Sequence, residues 1–150
     1  MKGDLPILIV EHDEREQALF SLAMASNKIR NPIRFAATND EIFSYLGSIF
    51  YHPRLTQNRL PGVIILNHTL SKAVSFDLLE NIKANSIYKQ IPVVVLSSSS
   101  NAEDMDTCYS KGCNGYFTRP FNEEEYKRVV KVIYDFWLDA ATVPYYTVNT

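Results

Sequence analysis

The chain has 150 residues and a formal net charge of −2; 46% of the residues are apolar, 21% charged and 12% aromatic. That length suits one domain, and a domain of this size buries roughly 68–70% of its unfolded surface, so no disulfide is needed to hold it. A near-balanced charge without a block of like charges excludes a non-specific nucleic-acid or anionic-membrane partner, and no apolar stretch approaches the ~18 residues of a membrane span.

The start, Met1 to Pro6, leads into an apolar run too short for a signal-peptide core, so a cytoplasmic chain is expected. Ile7–Val10, β-branched and without alternation, predicts a strand buried on both faces. Asp13-x-x-Glu16 reads as a capping box ahead of a helix carrying Leu19, Leu22 and Ala23 on its apolar stripe. A weaker strand is expected over Ile33–Ala37, and Thr38-x-x-Glu41 opens a second helix marked by Ile42, Phe43, Tyr45 and Leu46. Tyr51–Pro61 is a polar, proline-flanked loop. Val63–Leu66 predicts a third strand, and Leu78, Leu79 and Ile82 a helix after it.

Ile91–Leu96 predicts a fourth strand and Asn101-x-x-Asp104 the cap of the next helix, although Asp fits the fourth position of that box less well than Glu. Cys108 and Cys113 read as reduced thiols; a lone Cys-x4-Cys pair falls short of the ligands that tetrahedral zinc requires. Tyr116–Phe117 marks a fifth strand. Asn122-x-x-Glu125 caps a last helix, whose run Glu123-Glu124-Glu125 offsets the helix dipole. Tyr126, Val129, Val130, Ile133, Phe136 and Trp137 make its apolar stripe. One domain over 1–138 is expected, followed by a tail, 139–150, with no clear element.

Strand–helix alternation throughout implies an α/β fold, with right-handed crossovers, a parallel sheet and helices on both faces. In such sheets ligands bind beyond the carboxyl ends of the strands. That rule selects Glu11-His12-Asp13, Asn67-His68-Thr69, Ser97-Ser98-Ser99-Ser100 and Arg119-Pro120. None of these loops is glycine-rich, so the phosphate-cradling fingerprints of nucleotide folds are absent. Without a G-x-S-x-G turn, Ser97 reads as a hydrogen-bonding group and not as a nucleophile. His12, His68 and Glu11 are donors a transition metal accepts, but solvated loop histidines are the plainer reading and no metal is expected.

The segments ILIVEHD, PGVIILNHTL, IPVVVLSSSS and GCNGYFTRPF, in that order and spacing, resemble the landmark segments of the response-regulator receiver domain. FWLDAATVP and the long loop before the third strand resemble the single-domain regulators that partner cyanobacterial-type phytochromes. The resemblance implies a flavodoxin-like, doubly wound sheet of five strands in the order 2-1-3-4-5. In that family an acidic pair and an aspartate bind Mg2+, and the aspartate takes a phosphoryl group from a sensor histidine kinase. By position the pair becomes Glu11 and His12 with Asp13 beside them, and the acceptor position is Asn67. The hydroxyl is Ser97, the cation Arg119 and the switch aromatic Tyr116. Arg119-Pro120 falls on a junction that is cis in the family.

The departures shape the functional expectation. An amide is a poor nucleophile, so Asn67 should not form an acyl phosphate. With His12 and Asn67 in place of two acids, Mg2+ binding should be weak or lost, and Arg119 is expected to pair directly with Glu11. The resemblance therefore implies a non-enzymatic module of two-component signalling that binds a sensor histidine kinase or another signalling protein. Extra aromatic and apolar residues on the last helix, Tyr134, Trp137 and Leu138, are expected to form a homodimer face. Two alternatives stay open: a receiver phosphorylated at another residue such as Asp13, and a flavodoxin-like protein that binds a nucleotide or flavin.

Overall fold

Short runs of β-branched and aromatic residues become strands here because each can bury side chains on both faces of a sheet. The computed structural model describes residues 5–51, 59–67, 72–99 and 101–141. In chain order they form β1 (Ile7–Val10), α1 (Glu14–Ser26), β2 (Ile33–Ala36), α2 (Asn39–Tyr51), β3 (Val63–Asn67), α3 (Lys72–Ala84), β4 (Val93–Ser97), α4 (Ala102–Ser110), β5 (Gly115–Thr118) and α5 (Glu123–Ile133). A 3-10 turn, Tyr88–Gln90, precedes β4, and a π-helical segment, Tyr134–Ala140, continues α5. The sheet is five-stranded in the order β2-β1-β3-β4-β5, and every pairing is parallel. This is the expected flavodoxin-like arrangement.

Alternate residues of the central strands feed two cores. On one face Leu8, Val10, Ile64, Leu66 and Val95 pack with Ile42 and Leu46 of α2, Leu79 and Ile82 of α3, and Cys108 of α4. On the other, Ile7, Ile9, Ile65, Val94 and Leu96 pack with Phe20 and Met24 of α1 and with Tyr126, Val129, Val130 and Ile133 of α5. The capping signals are used. Asp13, Asn101 and Asn122 cap α1, α4 and α5 through their side-chain oxygens, and Thr38 Oγ1 accepts from the Glu41 amide at 3.1 Å.

β2 ends a residue early, at Ala36, β3 and β5 run slightly longer than expected, and two larger changes have local reasons. β4 starts at Val93 rather than Ile91, because the Ile91 amide closes the 3-10 turn onto Tyr88 O at 3.0 Å and Pro92 has no amide to give a ladder. The last helix changes register. An α-helical period would set Phe136 and Trp137 on the stripe with Ile133, but the π step brings Leu138 round to it. Leu138 is therefore buried, at 3% exposed, while Phe136 is 54% exposed. This corrects the expectation of Leu138 as a dimer-face residue and of Phe136 as a core one. Asp139 and Ala140, expected to open the tail, instead end the π segment, and 142–150 lie outside the described residues. The cis bond expected at Arg119-Pro120 is also corrected: no cis peptide occurs among the described residues. Trans is the form that X-Pro bonds favour by roughly 0.5–1 kcal/mol.

Candidate functional site

The carboxyl ends of β1 and β3 lie side by side, since Val10 pairs with Leu66 in register. This places Glu11 and Asn67 together, and both are fully buried, at 0% exposed. Glu11 Oε1 accepts from the His12 and Asp13 amides, each at 3.0 Å, and Oε2 accepts from Asn67 Nδ2. Its backbone is held as well: the Glu11 amide donates to Ala36 O at 3.0 Å, and Gln17 Nε2 donates to Glu11 O at 2.7 Å. A buried charge requires this density of donors, because desolvation without them is costly. Asn67 Oδ1, by contrast, is buried without a hydrogen-bond partner among the described residues.

The other expected residues divide. His12 is half exposed, its Nδ1 3.5 Å from Glu11 Oε1. Asp13 is exposed and turned to the helix, where its Oδ1 accepts from the Arg15 amide at 2.8 Å. Ser97 is buried, and its Oγ accepts from the Ser99 amide at 3.1 Å. Tyr116 is half-buried against the core, and its hydroxyl donates to Ser99 O at 3.3 Å. Ser97 and Tyr116 thus meet through the backbone of Ser99. His68, Thr69 and Ser100 lie outside the described residues.

Arg119 corrects the expectation of a Glu11 pair. Its amide donates to Ser97 O at 2.9 Å, which sets it at the end of the sheet, but its Nη2 donates to Glu16 Oε1 on α1 at 2.8 Å. Glu16 Oε2 accepts from the Tyr126 hydroxyl. Glu11 is already saturated by local amides and Asn67, whereas Glu16 is a carboxylate on an apolar helix face that needs a cation. The signal was present in the spacing: Glu16 stands four residues before Phe20 and eight before Met24, both buried, and positions so spaced share a face. Reading Glu16 only as a capping residue missed it.

Asp104 was read the same way. Its Oδ2 accepts from Ser99 Oγ at 2.7 Å, and Ser99 Oγ accepts from the Asn101 amide at 3.1 Å. Serine hydroxyls and one aspartate thus shape the β4–α4 loop.

The donors at the sheet edge do not fit Mg2+ well. Glu11 has both oxygens engaged, Asp13 caps a helix, and Asn67 offers one neutral oxygen where Mg2+ favours carboxylates. Among the described residues no group of three or more His, Cys, Asp or Glu side chains could hold a metal ion. A groove of about 660 Å3 between α3 and α4, lined by Glu80, Lys83, Glu103 and Lys111 among others, shares no residue with this cluster. Among the described residues no helix is long and apolar enough to cross a membrane.

Comparison with known proteins places this geometry. Residues 7–131 match the response regulator receiver domain family. The chain is 29% identical over 141 residues to response regulator Rcp1 of Synechocystis, covering 92% of each chain. The solved structure of a phosphorylated cyanobacterial phytochrome response regulator, RcpA, superposes with a TM-score of 0.79 at 30% identity, covering 94% of this chain and 99% of the other. The Mn2+-bound form of Rcp1 gives 0.76 at 27% identity, covering 93% and 99%. These relatives are regulators, so the flavin- or nucleotide-carrier alternative is set aside. The chain belongs to the response-regulator receiver domain family, signalling modules of two-component systems rather than enzymes.

Proposed function

We propose that this receiver does not accept a phosphoryl group at Asn67 and acts by binding a protein partner, a sensor histidine kinase or another regulator. One observation carries the reading: Asn67 donates a hydrogen bond to Glu11 through its amide nitrogen. A carboxylate at position 67 could only accept, and two buried carboxylates in contact repel unless a cation separates them. The amide removes that need, so the pocket is neutralised by hydrogen bonds in place of Mg2+. An amide oxygen without full negative charge is also too weak a nucleophile to attack phosphorus.

The same reading assigns Glu11, His12 and Asp13 to a degenerate acidic pocket, and Ser97, Tyr116 and Arg119 to the positions that would contact or report a phosphoryl group. Pro120 is the buried residue that follows. The unit is 1–138 in a cytoplasmic protein, and of the tail over 139–150 Asp139 and Ala140 continue the π segment. A homodimer through the last helix belongs to it too, with Phe136 and Val132 exposed and Tyr134 and Trp137 half-buried at that face.

The test is intact-mass measurement after incubation with acetyl phosphate and Mg2+. The unsubstituted chain is expected to stay unmodified while Asn67→Asp gains one phosphoryl mass. A phosphoryl mass on the unsubstituted chain refutes the reading, and peptide mapping would then decide whether Asp13 carries it.

A further inference from the structure

Arg119 stands at the end of β5, where a receiver pocket would place its cation, yet its ion pair is made to a helix. Nη2 meets Glu16 Oε1 at 2.8 Å, and the two side chains are largely buried, at 26% and 17% exposed. The other Glu16 oxygen is held from α5 by the Tyr126 hydroxyl. Tyr126 is itself 1% exposed and packs edge-on against Phe20 of α1, with ring centroids 5.0 Å apart. Asn27 Nδ2 adds a second tie between these helices by donating to Lys127 O at 2.9 Å. The carboxylate is therefore fixed in the α1–α5 contact and cannot follow the guanidinium toward the sheet edge. Arg119 Nε, buried, has no hydrogen-bond partner among the described residues, so the guanidinium is committed at one end and unsatisfied at the other.

We propose that Glu16 is a positioning residue that holds Arg119 to α1 and so keeps that guanidinium from the Asn67 pocket, which has an amide where a carboxylate would stand. The proposal rests on reading Asn67 as the acceptor position of a receiver pocket. Its physical content is competition. A charge-assisted, largely buried pair is strong, and an oxyanion in the pocket has to draw Arg119 out of it. Restoring the carboxylate alone thus restores only part of the chemistry. In the transfer from acetyl phosphate, a carboxylate oxygen at position 67 forms a bond to phosphorus. The bond from phosphorus to the acetyl oxygen breaks, and acetate leaves with that electron pair. Negative charge on the three remaining phosphoryl oxygens is what a freed guanidinium would stabilise.

The test compares phosphorylation rates with acetyl phosphate and Mg2+ in the Asn67→Asp background. Glu16→Gln keeps an oxygen for the Tyr126 hydroxyl and removes the charge that binds Arg119; it is expected to raise the rate by about fivefold or more. Glu16→Asp keeps the charge but shortens its reach, and an intermediate rise is expected. Asn27→Ala loosens the α1–α5 contact at its other tie, away from Glu16, and no rise is expected. The proposal is overturned if Glu16→Gln leaves the rate within about twofold or lowers it. It is overturned too if no Asn67→Asp protein is modified, or if Asn27→Ala accelerates as much as Glu16→Gln, since a loosened helix would then explain the effect. Failure of the underlying reading registers separately, as a phosphoryl mass on the unsubstituted chain.

Discussion

Glu11 keeps a carboxylate at zero exposure because donors converge on it, two amides and the Asn67 side chain among them. The same scale explains Gly62, just before β3. A Cβ there would stand 2.5 Å from Leu138 Cδ2 and 3.1 Å from the Leu5 side chain, so hydrogen is required by close approach and not by a left-handed backbone. Gly62→Ala is expected to destabilise the fold by about 1–3 kcal/mol, the range for overpacking a filled core. Urea unfolding checks it, and a midpoint equal to that of the unsubstituted chain would mean that Leu138 yields freely. The grouping of Glu11 with Asn67, 56 positions away, was implied by the resemblance, but the use of Gly62 was not open to sequence reasoning, since Leu138 is still further from it along the chain.

At the scale of elements, the π segment decides which residues of the last helix face the protein. Heptad-like spacing from Tyr126 through Ile133 was legible and correct, but the stripe could not be extended through a change of helical pitch. One wider turn exchanged Leu138 for Phe136. Leu138→Ala is expected to cost about 2–4 kcal/mol, as deletion of a buried leucine does, while Phe136→Ala should change monomer stability by less than about 0.5 kcal/mol. Thermal unfolding of both variants decides between this and an uninterrupted α-helix, in which Phe136 would be the costly position. The helix starts were readable because capping is local chemistry between residues two to four apart. Asn122 Oδ1 accepts from the Glu125 amide at 3.0 Å, and Glu125 Oε2 accepts from the Phe121 amide at 3.1 Å.

Across the whole molecule, the amino edge of the sheet is closed by groups that the functional site does not use. Lys83 Nζ donates to Lys89 O at 3.0 Å, to Ile91 O at 2.9 Å and to Asn114 Oδ1 at 3.0 Å, tying α3 to the starts of β4 and β5. Next to it, α4 ends in a Schellman turn: Gly112 has φ of 104°, and the Cys113 amide donates to Cys108 O at 3.1 Å. Burial raises both thiols, Cys113 from an ordinary 9.0 to about 11, and depresses Lys83. Below pH 9 the Cys113 proton is bound in both folded and unfolded chains, so its contribution to stability is fully present there. Between pH 9 and about 11 the unfolded chain loses a proton that the native one keeps. Stability from this group therefore falls as pH rises, by about 3 kcal/mol at most. Lys83 works in the opposite direction, since its depressed value lets the native chain shed a proton first. Cys113→Ala isolates the thiol: denaturant unfolding at pH 8 and 11 should show a smaller loss in the variant than in the unsubstituted chain. Equal losses would mean that the thiol does not resist ionisation.

The sequence by itself determined the alternation of strands and helices, the parallel sheet and the four loops in which a site had to lie. Those depend on burial periodicity and on capping, which act within a few residues, and on chirality, which acts everywhere. It also showed that the loop after the third strand begins with an amide, Asn67, because residue type is read directly. Only the tertiary structure decided where charges were spent. Arg119 chose Glu16 over Glu11 because the fold brings the Glu16 carboxylate on α1 to 2.8 Å from its Nη2 and because Glu11 was already engaged by its own turn. Pair choice of that kind depends on which carboxylate still lacks donors once the chain is folded, and that is a property of the packed whole.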